Sequence, residues 1–65
     1  MSMQEIRQKS DAQLRTALRE MTARLRTVRF GISMQQERNI AQHAKIRRTI
    51  ARIKTELSAR AHKQQ

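Results

Sequence analysis

No cysteine, proline, tryptophan or tyrosine occurs in these 65 residues, and glycine and phenylalanine occur once each, as Gly31 and Phe30. Each scarcity removes a class of fold or function. Without thiols there is no disulfide and no thiolate zinc site, so nothing covalent offsets the small size of the chain. Sheets need tight turns, and turns draw on glycine and proline, so an all-β fold is a poor reading. No apolar run approaches the roughly 20 residues that cross a bilayer. The opening Met1-Ser2-Met3-Gln4-Glu5 has no basic region followed by an apolar stretch, so no secretory signal is expected. The early Glu5 also speaks against a transit peptide, and the reading is of an intracellular protein.

Acidic residues are scarce too. Five Asp and Glu stand against 15 Lys and Arg, a net charge of +10. A surplus this large on one small domain repels itself, and it makes sense when a polyanion is the usual neighbour. Arginine outnumbers lysine 11 to 4. Its planar guanidinium matches phosphate oxygens in a way a merely solubilising tail does not require.

What is present is helical periodicity. Ser2 and Glu5 have the spacing of a capping box, with Met3 and Ile6 on one side, which predicts a short helix over about 2–8. Ser10 and Gln13 repeat that spacing, and Asp11 places a negative charge in the first turn of a second helix, predicted over about 10–34. There Leu14, Leu18, Met21, Leu25, Val28 and Ile32 follow at spacings of 4, 3, 4, 3, 4, an apolar seam more than two heptads long. Gly31 is either a C-cap or a tolerated helical glycine costing about 1 kcal/mol, and the seam position of Ile32 favours continuation. The polar stretch Gln35-Gln36-Glu37-Arg38-Asn39 is the predicted connection. A third helix is predicted over about 40–61, with Ile46, Ile50, Ile53 and Leu57 spaced 4, 3, 4, and a frayed end at 62–65.

Neither narrow seam can be buried alone, and a short connection makes neighbours antiparallel. The expected fold is therefore all-α: one domain, a coiled-coil-like antiparallel two-helix hairpin preceded by a short N-terminal helix. Its core is thin, so binding of a partner is expected to supply part of its stability.

Helical spacing sorts the charges. Arg15, Arg19, Arg26 and Arg29 share one flank of the first seam, while Thr16, Glu20, Ala23 and Thr27 make the opposite outer side mild. Lys45, Arg48 and Arg52 form an outer stripe of the next helix, and Arg47 and Lys54 a second stripe beside its seam. An ordinary solvated helix would intersperse Glu and Asp for pairing four residues apart. Here they are nearly absent, which favours phosphate binding over a solvated face, with counterion release and steep salt dependence. With Phe30 the sole aromatic, stacking on unpaired bases is not the expected mode. Shape and phosphate contacts on folded RNA or duplex DNA fit better. Phe30 itself should point away from the seam. It either packs under the N-terminal segment against Met3 or Ile6, or anchors in an RNA crevice or a protein partner.

Catalytic and metal readings find little. His43 extrapolates to the hairpin mouth and His62 to the tail, with no carboxylate or thiol at a ligand spacing. No nucleophile–base pair and no phosphate loop is present, and a hairpin this thin encloses no pocket. No enzyme, cofactor or metal is expected.

The run Arg47-Arg48-Thr49-Ile50-Ala51-Arg52-Ile53-Lys54-Thr55 resembles the Arg-Arg-x-Ile-Ala-Arg-Ile-Lys-Thr signature of the bacterial family of large-subunit ribosomal protein twenty-nine. Glu5-Ile6-Arg7-Gln8-Lys9-Ser10, followed by Leu14, is similar to the family's opening. Val28-Arg29-Phe30 resembles its Leu-Arg-Phe element, and Asn39 matches the Asn of its connecting segment. The chain departs from the pattern in having Gln35 where the family usually has a connecting Gly, Gly31 where Gln commonly follows the Phe, and fewer Glu in the first long helix.

The resemblance implies a two-helix hairpin bound to large-subunit ribosomal RNA, in the cytoplasmic ribosome. It also implies a place beside the nascent-chain exit tunnel, next to ribosomal protein twenty-three, where chaperones and the signal recognition particle dock. Carried over by motif, Arg47, Arg48, Arg52, Lys54 and Thr55 are the foremost RNA contacts, with Arg29, Arg7 and Lys9 next; Lys45 joins them through its stripe with Arg48 and Arg52. Arg47 and Arg48 point about 100° apart on a helix, so RNA is expected to wrap that helix or enter from two sides.

Three other readings compete. A nucleoid-type protein would dimerise and bind duplex DNA as well as folded RNA. A basic amphipathic helix pair at an anionic membrane would need a broader apolar face than these seams offer. A coiled-coil adaptor would need the seams to pair between chains, whereas pairing within the chain predicts no homo-oligomer and no membrane partner.

Overall fold

The computed structural model describes residues 1–33 and 38–63, and the side chains at 32, 33 and 38 also lie outside the description. Three helices follow in order: α1 Met3–Gln8, α2 Asp11–Ser33 and α3 Arg38–Lys63. α2 and α3 pack against each other as an antiparallel hairpin. Arg29 near the end of α2 meets His43 near the start of α3, and Asp11 at the start of α2 meets Arg60 near the end of α3. The molecule is a rod with extents of 45 × 17 × 16 Å.

The helix starts follow from local chemistry. Ser2 Oγ accepts from the Glu5 N–H at 3.2 Å, satisfying one of the donors that a helix start leaves without partners. At α2 the exchange is reciprocal: the Gln13 N–H donates to Ser10 Oγ at 3.1 Å, and the Ser10 N–H donates to Gln13 Oε1 at 2.9 Å.

Boundaries differ from expectation mainly at α3. It begins at Arg38 rather than at 40, so Arg38 and Asn39 belong to the helix and not to the connection. It ends at Lys63 rather than at 61, with Arg60, His62 and Lys63 in a last turn where cations are favoured by the helix dipole. The rest of the expected connection, at 35–37, lies outside the described residues. Gly31 is helical, because α2 continues to Ser33. A Cβ built on Gly31 would lie 2.8 Å from Asn39 Cγ, so the absent side chain is what lets α2 and the Asn39 side chain approach.

Of the seam residues, Leu14, Val28, Ile46 and Ile53 are buried, and Leu18, Met21, Leu25, Ile50 and Leu57 are half-buried. The Ile32 side chain lies outside the described residues. Two further residues are buried, Ile6 of α1 and Ala17 of α2, and they join Leu14 and Ile53 in one cluster flanked by Met3, Leu18 and Leu57. α1 therefore packs on the hairpin at its open end. Ala17 lies beside the seam, and its small side chain leaves room for Ile6. Phe30 is 68% exposed and is not part of this cluster. The reading that packs it under the N-terminal segment is incorrect: from Leu14 to Phe30 the helix rises about 24 Å, which carries Phe30 to the other end of the hairpin.

Candidate nucleic-acid interface

Two long helices paired antiparallel have two broad faces, and α1 covers part of one. On that side Met21 and Arg24 of α2, with Gln42, Lys45, Ile46 and Thr49 of α3 and Met1, line an open cleft of about 400 Å³. Arg52 reaches the same region, donating from one terminal nitrogen to the Met1 carbonyl at 3.1 Å. On the opposite face Arg29 Nε donates to His43 Nε2 at 3.5 Å.

The nine candidate RNA contacts are thus distributed over α3, α1 and, with Arg29, α2. Arg47 and Lys54 lie on the face opposite α1, together with Arg29 of α2. Arg48 and Thr55 lie on the outer side of α3, away from α2. Lys45 and Arg52 lie on the α1 side. All seven are exposed. Arg7 is exposed at the end of α1, and Lys9, its C-cap, is half-buried. Two of the nine also make intramolecular bonds with their side chains towards the backbone: Arg52 to Met1, and Thr55 through Oγ1 to the Ala51 carbonyl at 2.8 Å. No single plane touches all nine, because Arg47, Arg48 and Arg52 point in three directions.

The α2 arginines sort the same way. Arg15, Arg19 and Arg26 are exposed on the flank of α2 that joins Arg47 and Lys54 of α3. Small residues keep the surface low between them. Leu18, Thr22 and Ala23 floor a shallow groove walled by Arg19 and Arg26. Ala44 and Ala51 do the same beside Arg47 and Arg48.

Of the acidic groups, Asp11 shares this flank by register but is taken up by Arg60, and the others fall elsewhere or outside the described residues. Asp11 and Glu56 both pair with Arg60, at 2.6 and 3.0 Å. Glu5 is in α1, Glu20 falls on the α1 flank of α2, and Glu37 lies outside the described residues. Arg60 is a structural residue that periodicity missed. Its guanidinium also donates to the Arg7 carbonyl at 3.1 Å, which satisfies one of the free carbonyls at the end of α1. Its hydrogen bond to Asp11 chiefly, and then that to Glu56, raise its pKa further above its already high ordinary value. The only sequence cue was an Arg four residues after Glu56, and the pairing across 49 residues has no local signal.

Among the described residues no group of three or more His, Asp or Glu could hold a metal ion. Among them, too, no helix is long and apolar enough to cross a membrane.

Comparison with known proteins places this arrangement. No solved structure matches the chain to a significant degree. The chain is similar to a protein of Pseudothermotoga lettingae named large ribosomal subunit protein uL29, 45% identical over 60 residues, which is 92% of this chain and 91% of that protein. A family model described as ribosomal L29 protein matches residues 4–60, so the match spans α1, α2 and most of α3. The chain belongs to the ribosomal protein L29 family.

Proposed function

We propose that this protein holds ribosomal RNA of the large subunit through Arg and Lys contacts to phosphate, beside the exit of the nascent-chain tunnel. Family membership makes it a structural constituent of the large ribosomal subunit, acting in the cytoplasmic ribosome and not as an enzyme. The observation that carries the RNA reading is the exposure of the cations around α3. Arg47, Arg48, Arg52, Lys54 and Lys45 are all exposed, and the ion pairs among the described residues are those of Arg60. Cations left without carboxylate partners on a rigid helix are available to phosphates at little reorganisation cost.

Preorganisation is the mechanism. The hairpin fixes the guanidinium rows before RNA arrives, binding releases condensed counterions, and RNA strands are held in a fixed relation to one another. Because the cations point in different directions around α3, the RNA contacts that helix from more than one side. The place beside the tunnel, the neighbouring ribosomal protein twenty-three, and docking of chaperones and the signal recognition particle rest on the resemblance of the run at 47–55.

Filter binding tests the reading, with large-subunit ribosomal RNA and duplex DNA of equal length compared at rising salt. The expected result is tighter binding to the ribosomal RNA, weakened in an Arg47→Gln/Arg48→Gln variant. Equal affinity for the DNA would overturn it in favour of a nucleoid-type protein.

A further inference from the structure

We propose that the whole face opposite α1 is a second phosphate-binding surface, in which Arg15, Arg19, Arg26 and Arg29 of α2 act together with Arg47 and Lys54 of α3. The inference rests on the RNA-binding reading and extends it from α3 to the other helix. The run at 47–55 gives no reason to include α2, of whose arginines only Arg29 is carried over, with the element Val28-Arg29-Phe30.

Three observations carry it. The first is register. Positions 15, 19, 26 and 29 occupy one flank of the α2 seam, and 47 and 54 one flank of the α3 seam. Antiparallel pairing brings those two flanks onto one face. Arg29 and His43, hydrogen-bonded at 3.5 Å, mark that face, and the cleft containing Arg24, Lys45 and Met1 marks the other.

The second is charge segregation. Asp11 and Glu56 are engaged by Arg60, Glu5 is in α1, and Glu20 faces the α1 side, so among the described residues no unpaired carboxylate lies between the six cations. Like charges four apart, as at Arg15 and Arg19, destabilise a free helix and become favourable once a polyanion lies across them.

The third is access. Arg15, Arg19, Arg26, Arg29, Arg47 and Lys54 are all exposed, and Ala23 and Ala51 leave low ground beside the arginines. From Arg15 to Arg29 the row spans about 21 Å. That is long enough to follow several consecutive phosphates of one strand of an RNA double helix.

The faces then differ in role. The α1 face carries Arg24, Lys45 and Arg52 but also Glu20 and Glu56, and Arg52 there holds the N-terminal backbone. Among the described residues, the opposite face offers no carboxylate that Arg60 does not already engage.

The test is the salt dependence of binding between the full-length chain and large-subunit ribosomal RNA, with helicity monitored by circular dichroism. The Arg15→Gln/Arg19→Gln/Arg26→Gln variant should keep its helicity. It should flatten the slope of log affinity against log salt by about two to three, just under one for each phosphate that is no longer neutralised. Arg24→Gln, on the α1 face, should change the slope by less than about 0.5. A triple variant that keeps the parent slope, while Arg47→Gln/Lys54→Gln flattens it, would overturn the α2 surface and leave the α3 reading standing. Failure of the unsubstituted chain to bind the RNA would overturn both.

Discussion

Arg60 and Asp11, 49 residues apart in the chain, are joined by a guanidinium–carboxylate contact of 2.6 Å. The same guanidinium bonds Glu56 in its own helix and the carbonyl of Arg7 at the end of α1. One side chain therefore ties together all three helices at the open end of the hairpin. Arg60→Gln should lower the melting temperature and loosen α1, read as faster amide exchange near Ile6. Because the hydrogen bonds raise the folded-state pKa of Arg60, its contribution is fully present below the unfolded value and is lost only as pH rises through the folded one. The deficit of the variant should thus be the same at about pH 7 and about pH 10. A deficit that fades over that interval would contradict this account.

Ile6 and Phe30 make opposite cases of apolar residues. Ile6 is fully buried with Leu14, Ala17 and Ile53, whereas Phe30 is 68% exposed. Truncation at Ile6 leaves a cavity and should cost about 2–4 kcal/mol by thermal or urea unfolding. Phe30→Ala, at a side chain two-thirds exposed, should cost clearly less than that. Equal losses at the two positions would mean that α1 does not pack as described.

Gly31 sits against the Asn39 side chain, with no room for a methyl group between them. An alanine there gains up to about 1 kcal/mol of helix propensity. It must also displace the Asn39 amide, the far end of a flexible side chain that can turn aside at small cost, so Gly31→Ala should gain less than that full increment. The double variant Gly31→Ala/Asn39→Ala should realise the whole propensity gain at position 31, because the obstructing side chain is gone. A double-mutant cycle checks this; strict additivity of the two changes would exclude the steric coupling.

Ser10 and Gln13 satisfy each other's backbone N–H at the start of α2. Ser10→Ala should cost about 1 kcal/mol, and Ser10→Asp, which keeps an accepting oxygen beside the helix N-terminus, should restore most of it.

The parts legible in the sequence are those with a period. The seams at 14–28 and 46–57 could be read because every turn of a long helix repeats the same requirement. The caps at Ser2 and Ser10 could be read because they act over three residues. What lay beyond reading depends on how elements meet. Ala17 carries no hydrophobic signal strong enough to mark it as core, and only the arrival of Ile6 buries it. For Phe30 the sequence leaves two readings open, the N-terminal segment or an external partner, and only the length of α2, which sets Phe30 and α1 at opposite ends, decides against the first. Arg60 could not be singled out from the sequence, since neither Asp11 nor the Arg7 carbonyl is local to it. The basic rows could be seen one helix at a time. That the α2 row and the pair Arg47 and Lys54 share a face follows from the direction in which the helices pair.

The central claim is that the chain is built into the large subunit. The most direct measurement follows tagged protein through a sucrose gradient of lysate, before and after a high-salt wash. The account predicts co-migration with the large subunit in both, with the washed fraction depleted in a variant lacking the charges of Arg47, Arg48 and Arg52. Recovery at the top of the gradient, or release at modest salt, would contradict it and leave only loose attachment to polyanions.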